Sequence, residues 1–264
     1  MGKYKTCRIA SWLLAAFLMV IALKINRTEW DLWVIFLVLL SWLTILLPTL
    51  WRNCGWLGPV RQRFLTDQNE VWLTLDDGPN PHETPEILDV LSEHQAKATF
   101  FVVGKNVARW PHLARMIVER GHSIQNHTFH HRSATFWAAT PAVVRREITL
   151  CNKAIFAATG ITPTQFRAPV GMANHFVHAE VEKAGLELVG WSASGNDGVA
   201  HKPTKVLEKI RRGVNPGAIV LLHEGPLRGL PMGERARTLR ALLVELESRG
   251  FRTVLPMTGN HTHS

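Results

Sequence analysis

Apolar and polar positions divide the chain into two regimes. Ile9 to Leu23 is a nearly unbroken apolar run, followed by the polar break Lys24-Ile-Asn-Arg-Thr-Glu29. Trp30 to Trp51 is a second run, interrupted by Asp31 and a few Ser, Thr and Pro residues, with Trp at both ends. About 20 apolar residues cross a bilayer as a helix, and interfacial Trp anchors such a span. The first run is shorter and competes with a signal-peptide reading, but no small-x-small cleavage site follows it. Residues 1–51 therefore read as a membrane anchor of two transmembrane helices. Lys3, Lys5 and Arg8 precede the hairpin and Arg52, Arg61 and Arg63 follow it, against Lys24 and Arg27 between the spans. The positive-inside rule then predicts an integral protein of the bacterial inner-membrane type with its catalytic domain in the cytoplasm. An exported domain held by one span is the alternative topology.

Residues 52–69, with Gly and Pro punctuation, read as a juxtamembrane linker whose Trp56-Leu57-Gly58-Pro59, Arg61 and Arg63 lie against lipid headgroups. From Glu70 short apolar runs alternate with helical patterns. Strands are expected at 71–75, 98–103, 122–125, 165–168, 186–191, 218–222 and 251–255. Helices are expected near 84–94, 105–120, 141–158, 174–184, 203–212 and 233–249. Gly121, Gly160, Gly185 and Gly250 fall where left-handed caps would end helices. Such alternation implies a mostly parallel sheet covered by helices, and about seven repeats favour a closed or nearly closed barrel over residues 70–256. Residues 257–264 read as a flexible tail.

Composition removes several classes. Three cysteines, Cys7, Cys54 and Cys151, are too few and too scattered for a disulfide framework or a Cys-based zinc site. The net charge of +9 is dispersed, with no aromatic-basic stripe, so no nucleic-acid partner is expected and membrane lipid accounts for it equally well.

The chemistry-bearing residues gather at the expected strand ends, where alternating β/α folds carry function. Asp76-Asp77-Gly78-Pro79-Asn80 follows the first strand. It is either a solvated turn or a pair of acids serving one cavity, one binding a cation and the other handling a proton. His127 and His131 share a face if their segment turns helically, and two imidazoles with one carboxylate leave open positions on a zinc-like cation. His130 would point away as exposed filler. Arg167, in a tight loop with Pro169 and Gly171, suits bidentate orientation of a carboxylate. His223, ending a very apolar strand, is a general acid or else a structural histidine.

In order, LTLDDGP, NHTFHH, FRAPVG and LLHEG resemble the motifs of the polysaccharide deacetylase family (carbohydrate esterase family four, the NodB-homology domain), over roughly residues 70–256. The resemblance implies a distorted (β/α)7 barrel that hydrolyses N-acetyl or other N-acyl groups on amino sugars with a divalent metal, usually zinc. It implies Asp76 as general base, Asp77, His127 and His131 as metal ligands, Arg167 as the holder of the base and His223 as general acid. Thr128 would brace the site, the Val170 backbone N–H would meet the oxyanion, and Asp197, in a fourth motif, would pair with Arg167. Val170 stands where many members carry Tyr, and Gly198 where an aromatic is common, which puts the substrate rather than the reaction in question. With a membrane anchor, the expected substrate is a lipid-linked or membrane-associated amino sugar. The alternatives are an exported peptidoglycan or exopolysaccharide deacetylase, a catalytically retired membrane carbohydrate-binding protein, and a helical-hairpin scaffold.

Overall fold

In a computed structural model of the chain, residues 16, 17, 20, 30–198, 203–225, 231 and 233–256 are described. In chain order the elements are α1 (Trp30–Leu50), β1 (Glu70–Asp76), α2 (Glu83–Glu93), β2 (Ala98–Val102), α3 (Gly104–Arg109), α4 (Pro111–Glu119) and β3 (Ser123–Asn126). There follow α5 (Pro141–Thr159), β4 (Gln165–Phe166), α6 (His175–Lys183), β5 (Glu187–Leu188), β6 (Ala193–Ser194), α7 (Pro203–Gly213), β7 (Ala218–His223), α8 (Glu234–Ser248) and β8 (Arg252–Thr253).

The strands form one parallel sheet in the order β5-β4-β3-β2-β1-β7-β6, with β8 added beside β1. It curls into a half-barrel whose two edge strands, β5 and β6, are consecutive in the chain. The stretch expected to be a linker takes part in this wall. Arg61 bridges Val189 beyond β5, and Arg63 bridges Ala218 of β7. Both basic side chains have local work, Arg61 on Glu187 at 3.1 Å and Arg63 on Asn215.

Strand alternation sorts β1 into two faces. Val71, Leu73 and Leu75 face the helices in the main core, together with Leu88, Phe100, Val220 and Leu243. Trp72 faces inward, where it packs with Phe64, Phe101, Val189 and Ile219 as an apolar floor of the barrel, and its Nε1 donates to Thr99 Oγ1 at 2.8 Å. Thr74 and Asp76 continue that inward face, so the barrel interior turns from apolar to polar toward the carboxyl ends of the strands. Each large apolar side chain buried this way contributes about 1.5–3 kcal/mol, which ties strand register to the placement of Asp76.

Two expectations about elements fail for local reasons. The helix expected over 105–120 breaks into α3 and α4 at Trp110 (φ −130°, ψ 62°), because Pro111 lacks an N–H and pushes its predecessor out of helical geometry. β6, two residues long, was hidden inside Trp-Ser-Ala-Ser-Gly.

The membrane expectation is corrected as well. The first apolar run lies largely outside the described residues, as do the 257–264 tail and the loop basics Lys24 and Arg27. The second run does fold as a helix, but it carries Pro48 near its end, and the hydroxyls of Thr44 and Thr49 bond back to the carbonyls of Ser41 and Ile45. No helix among the described residues is long and apolar enough to cross a membrane. The two-span hairpin, the integral-membrane placement and the cytoplasmic catalytic domain derived from it therefore have no support. Instead the segment just after α1 is fastened to the α/β unit: Asn53 N–H donates to Gly171 O at 2.9 Å, and Asn53 Nδ2 donates to Trp191 O at 3.0 Å.

Candidate active site

A cavity of about 250 Å³ opens at the carboxyl ends of the strands, lined by Asp76, Asp77, His127, His131, Val170, Trp191, His223 and neighbours. Asp76 ends β1 in register with His223 of β7. Strand alternation alone would aim Asp77 away from Asp76. The chain instead leaves β1 with Asp77 in the left-handed region (φ 75°), and the turn is held by Val103 N–H on Gly78 O (2.8 Å) and Asn106 Nδ2 on Asp77 O (3.0 Å). Both carboxylates thereby serve one cavity. Gly78 is required at this turn, since a Cβ there would run into the buried Glu224 carboxyl.

His127 and His131 do converge, though not on a helix. Thr128 (φ 67°) and His131 (φ 51°) both adopt left-handed backbone, and the loop is pinned by Thr128 N–H on Asn126 Oδ1 (2.8 Å) and His131 N–H on Thr128 Oγ1 (3.1 Å). Thr128 thus braces the site through its hydroxyl. His130 points away from the cavity as expected but is tied down, its Nδ1 lying 2.7 Å from the buried Glu147.

Asp77 Oδ1 lies 3.5 Å from His127 Nε2 and 3.1 Å from His131 Nε2, and the candidate ligand atoms of all three residues fall within 4.8 Å of one another. His127 Nδ1 is 2.9 Å from the Arg167 carbonyl oxygen, which can only accept, so Nδ1 carries a proton there and Nε2 is the ring atom turned toward Asp77. Burial, aided by the charge of His127, pushes His131 down to about 4, leaving it neutral near pH 7. Burial opposes charge on Asp77, but His127 and His131 outweigh it and hold the carboxyl well below the usual carboxylate range. The buried Asp77 Oδ1 has no hydrogen-bond donor. An anionic oxygen without a donor, faced by the neutral His131 imidazole and by the His127 ring, fits a divalent cation.

Beside this triad, Asp76 is 2 % exposed and Arg167 is fully buried. Arg167 Nη1 donates to Asp76 Oδ1 at 2.7 Å and to Thr74 Oγ1 at 2.8 Å, Nη2 to Gly190 O at 2.9 Å, and Nε to Val189 O at 3.3 Å. The expected bidentate grip is therefore a single bond to the carboxylate, with the other donors spent on the barrel wall. The guanidinium also stacks over Phe101, its central carbon 4.2 Å from the ring centroid. A fully buried cation survives only with such complete pairing.

The third cluster corrects the expected partner of Asp197. That residue follows β6 and does not pair with Arg167. Its Oδ1 lies 2.8 Å from His223 Nδ1, and its Oδ2 accepts from the His223 backbone N–H at 2.9 Å. Burial opposes protonation of His223, but the charge and hydrogen bond of Asp197 prevail and raise the imidazole to about 9. Arg235, near the start of α8, completes the cluster: Nη1 donates to Asp197 Oδ2 at 2.7 Å and to Asp197 O at 2.8 Å, and Nε donates to Gly225 O at 3.2 Å. Sequence reasoning missed Arg235, because an arginine within Gly-Glu-Arg-Ala-Arg looks like any helix-surface cation. Val170 holds a left-handed conformation (φ 53°) at the cavity wall.

The comparisons with known proteins agree with this geometry. Residues 65–189 match the polysaccharide deacetylase family. A chitooligosaccharide deacetylase of Bradyrhizobium sp. (strain ANU 289) is 40 % identical over 207 residues, covering 73 % of this chain and 92 % of the relative. A peptidoglycan-N-acetylglucosamine deacetylase of Listeria monocytogenes is 35 % identical over 70 % of this chain, matching 37 % of that longer protein. Among solved structures, the family 4 carbohydrate esterase from Streptomyces lividans in complex with acetate superposes with a TM-score of 0.64 at 27 % identity, covering 71 % of this chain and 92 % of that one.

Proposed function

This chain belongs to the polysaccharide deacetylase family and is a hydrolase acting on non-peptide carbon–nitrogen bonds, and on that footing we propose that it removes N-acetyl or other N-acyl groups from an amino sugar with a divalent metal, most suitably zinc. The observation that carries the reading is Asp77 Oδ1, buried without a donor and faced by two imidazole Nε2 atoms, 3.5 and 3.1 Å away. Asp77, His127 and His131 would hold the cation, which when bound polarises the acyl carbonyl and acidifies a water.

The remaining steps belong to the chain's own side chains. Asp76, oriented by Arg167, takes the proton of the attacking water as its oxygen bonds to the acyl carbon. The Val170 backbone N–H donates to the oxyanion that develops. His223, held protonated by Asp197, delivers a proton to the sugar nitrogen as the C–N bond breaks, so that the products are a carboxylic acid and a free amine. The similarity to a chitooligosaccharide deacetylase and a peptidoglycan-N-acetylglucosamine deacetylase supports N-acetylglucosamine in such polymers as the substrate class. The finer reading is a lipid-linked saccharide. Its support is the run of exposed apolar side chains along α1, Leu39, Leu43, Leu47 and Leu50 among them, continued by Trp51 just ahead of the cavity-lining Arg52.

Acetate release from chitooligosaccharides, peptidoglycan and lipid-linked N-acetylglucosamine, before and after chelation and zinc restoration, tests this. Chelation should abolish turnover and zinc should restore it. Asp76→Asn should retain bound metal yet lose at least about a hundredfold in turnover, the usual span for a general base. Full activity of that variant would refute the assignment of the base.

A further inference from the structure

The outer part of the cavity carries a charge that the hydrolysis does not use. Arg52 lines the same cavity as the metal triad and is exposed. It stands there because its neighbour is clamped. Asn53 adopts left-handed backbone (φ 57°), donates its N–H to Gly171 O at 2.9 Å and its Nδ2 to Trp191 O at 3.0 Å, and accepts from Gln62 Nε2 at 2.8 Å. A Cβ on Gly190 would lie 2.6 Å from Asn53 Oδ1, so the clamp also needs that glycine. The segment ahead of the barrel is thereby fastened to the Val170–Gly171 loop and to Trp191, two walls of the cavity.

The other charges at the site are committed. Asp76 is bound to Arg167, Asp77 faces the His127 and His131 imidazoles, and His223 is bound to Asp197. Among the described lining residues further out, Ser133, Ser194 and Asn196 are neutral, so the rim is positive at Arg52. A solvated arginine held at the mouth of a catalytic cavity, with its planar fork of N–H donors, is suited to a multi-oxygen anion.

We propose that Arg52 is a specificity-determining contact for a phosphate group carried by the substrate saccharide next to its N-acylated ring. This deepens the deacetylase reading and rests on it for the location of the acylated ring. A sugar phosphate and a lipid-phosphate-linked saccharide share this chemistry.

The test measures binding apart from turnover. Titration calorimetry on the full chain, with and without divalent cation, compares N-acetylglucosamine 1-phosphate, polyprenyl-phosphate-linked N-acetylglucosamine in detergent micelles, and neutral chitotriose. The phosphorylated ligands should bind about tenfold more tightly than chitotriose, the size of one charge-assisted contact at a partly exposed site. Arg52→Gln should erase that preference, and Arg52→Lys should keep most of it. A preference shared by the soluble phosphate assigns the anion to sugar phosphates generally, and one confined to the micellar ligand assigns it to a lipid carrier. Equal binding of charged and neutral ligands, or a preference that survives Arg52→Gln, overturns the proposal. Failure of the wild-type protein to release acetate from any of the three would instead sink the deacetylase reading, and the binding data would stand apart from it.

Discussion

Two carboxylate–imidazole groupings line one cavity and behave in opposite ways. On the β1–β3 side, Asp77 meets His127 and His131; on the β6–β7 side, Asp197 meets His223. Asp197 is saturated: its oxygens take the His223 backbone N–H, the His223 ring and Arg235. The outcome is a protonated imidazole, raised to about 9. Asp77 is left open at Oδ1, and His131 beside it is pushed down to about 4 by burial and the second histidine. The same residue types thus leave an open carboxylate oxygen where donors are withheld, as the proposed cation site needs, and a charged imidazole where they are supplied, as the proposed general acid needs.

The largest effect should come from attacking the open side. His127→Ala ought to lose the metal, measured by elemental analysis, and with it about a thousandfold or more in turnover, as expected when several kcal/mol of Lewis-acid stabilisation disappear. A metal-replete, active variant would break the contrast. Next, Arg167→Met strands the buried Asp76 carboxylate between the two groupings. Denaturant unfolding should show a loss of about 3–5 kcal/mol, the penalty for an uncompensated buried charge.

The saturated side yields to pH. Because the pKa of His223 is raised on folding, its stabilising contribution is complete below about 6.5, the ordinary histidine value, and is lost as pH rises through about 9. Wild-type turnover should accordingly hold through neutrality and fall near pH 9. In Asp197→Asn burial is opposed only by the more distant Asp76 and Asp77, so the basic limb should move to lower pH by about two units, with roughly a tenfold loss at pH 8. An unmoved limb would show that His223 is not the acid. The smallest change sharpens the picture: Arg235→Lys keeps the charge but loses the paired geometry. It should cost turnover severalfold, on the scale of one hydrogen bond of about 1 kcal/mol, with little change in KM.

Much of this was written locally in the chain. The apolar runs Val71–Leu75 and Ala218–Leu222 mark their strands, and placement at the strand ends singles out Asp76, Asp77 and His223. The His127–His131 spacing pointed to a shared ion, although its geometry comes from two left-handed residues rather than a helical turn. The partner of Asp197 differs from the expected Arg167 because Arg167 and Arg235 are both remote along the chain, and nothing local says which of them the β6 loop will reach. Arg61 and Arg63 looked like headgroup contacts because a two-residue bridge across a half-barrel seam has no periodicity to read.

Periodicity and turn residues act over a few positions, so the linear order of amino acids sufficed for the alternating α/β architecture, the strand ends and the residue types of a hydrolytic site. Pairings over long separations, Asp197 with Arg235, Arg167 with Asp76 and Asn53 with Gly171, depend on how the curled sheet brings distant loops together. Those contacts, set by packing around the Trp72–Phe101 floor, determine which imidazole stays neutral and which keeps its proton.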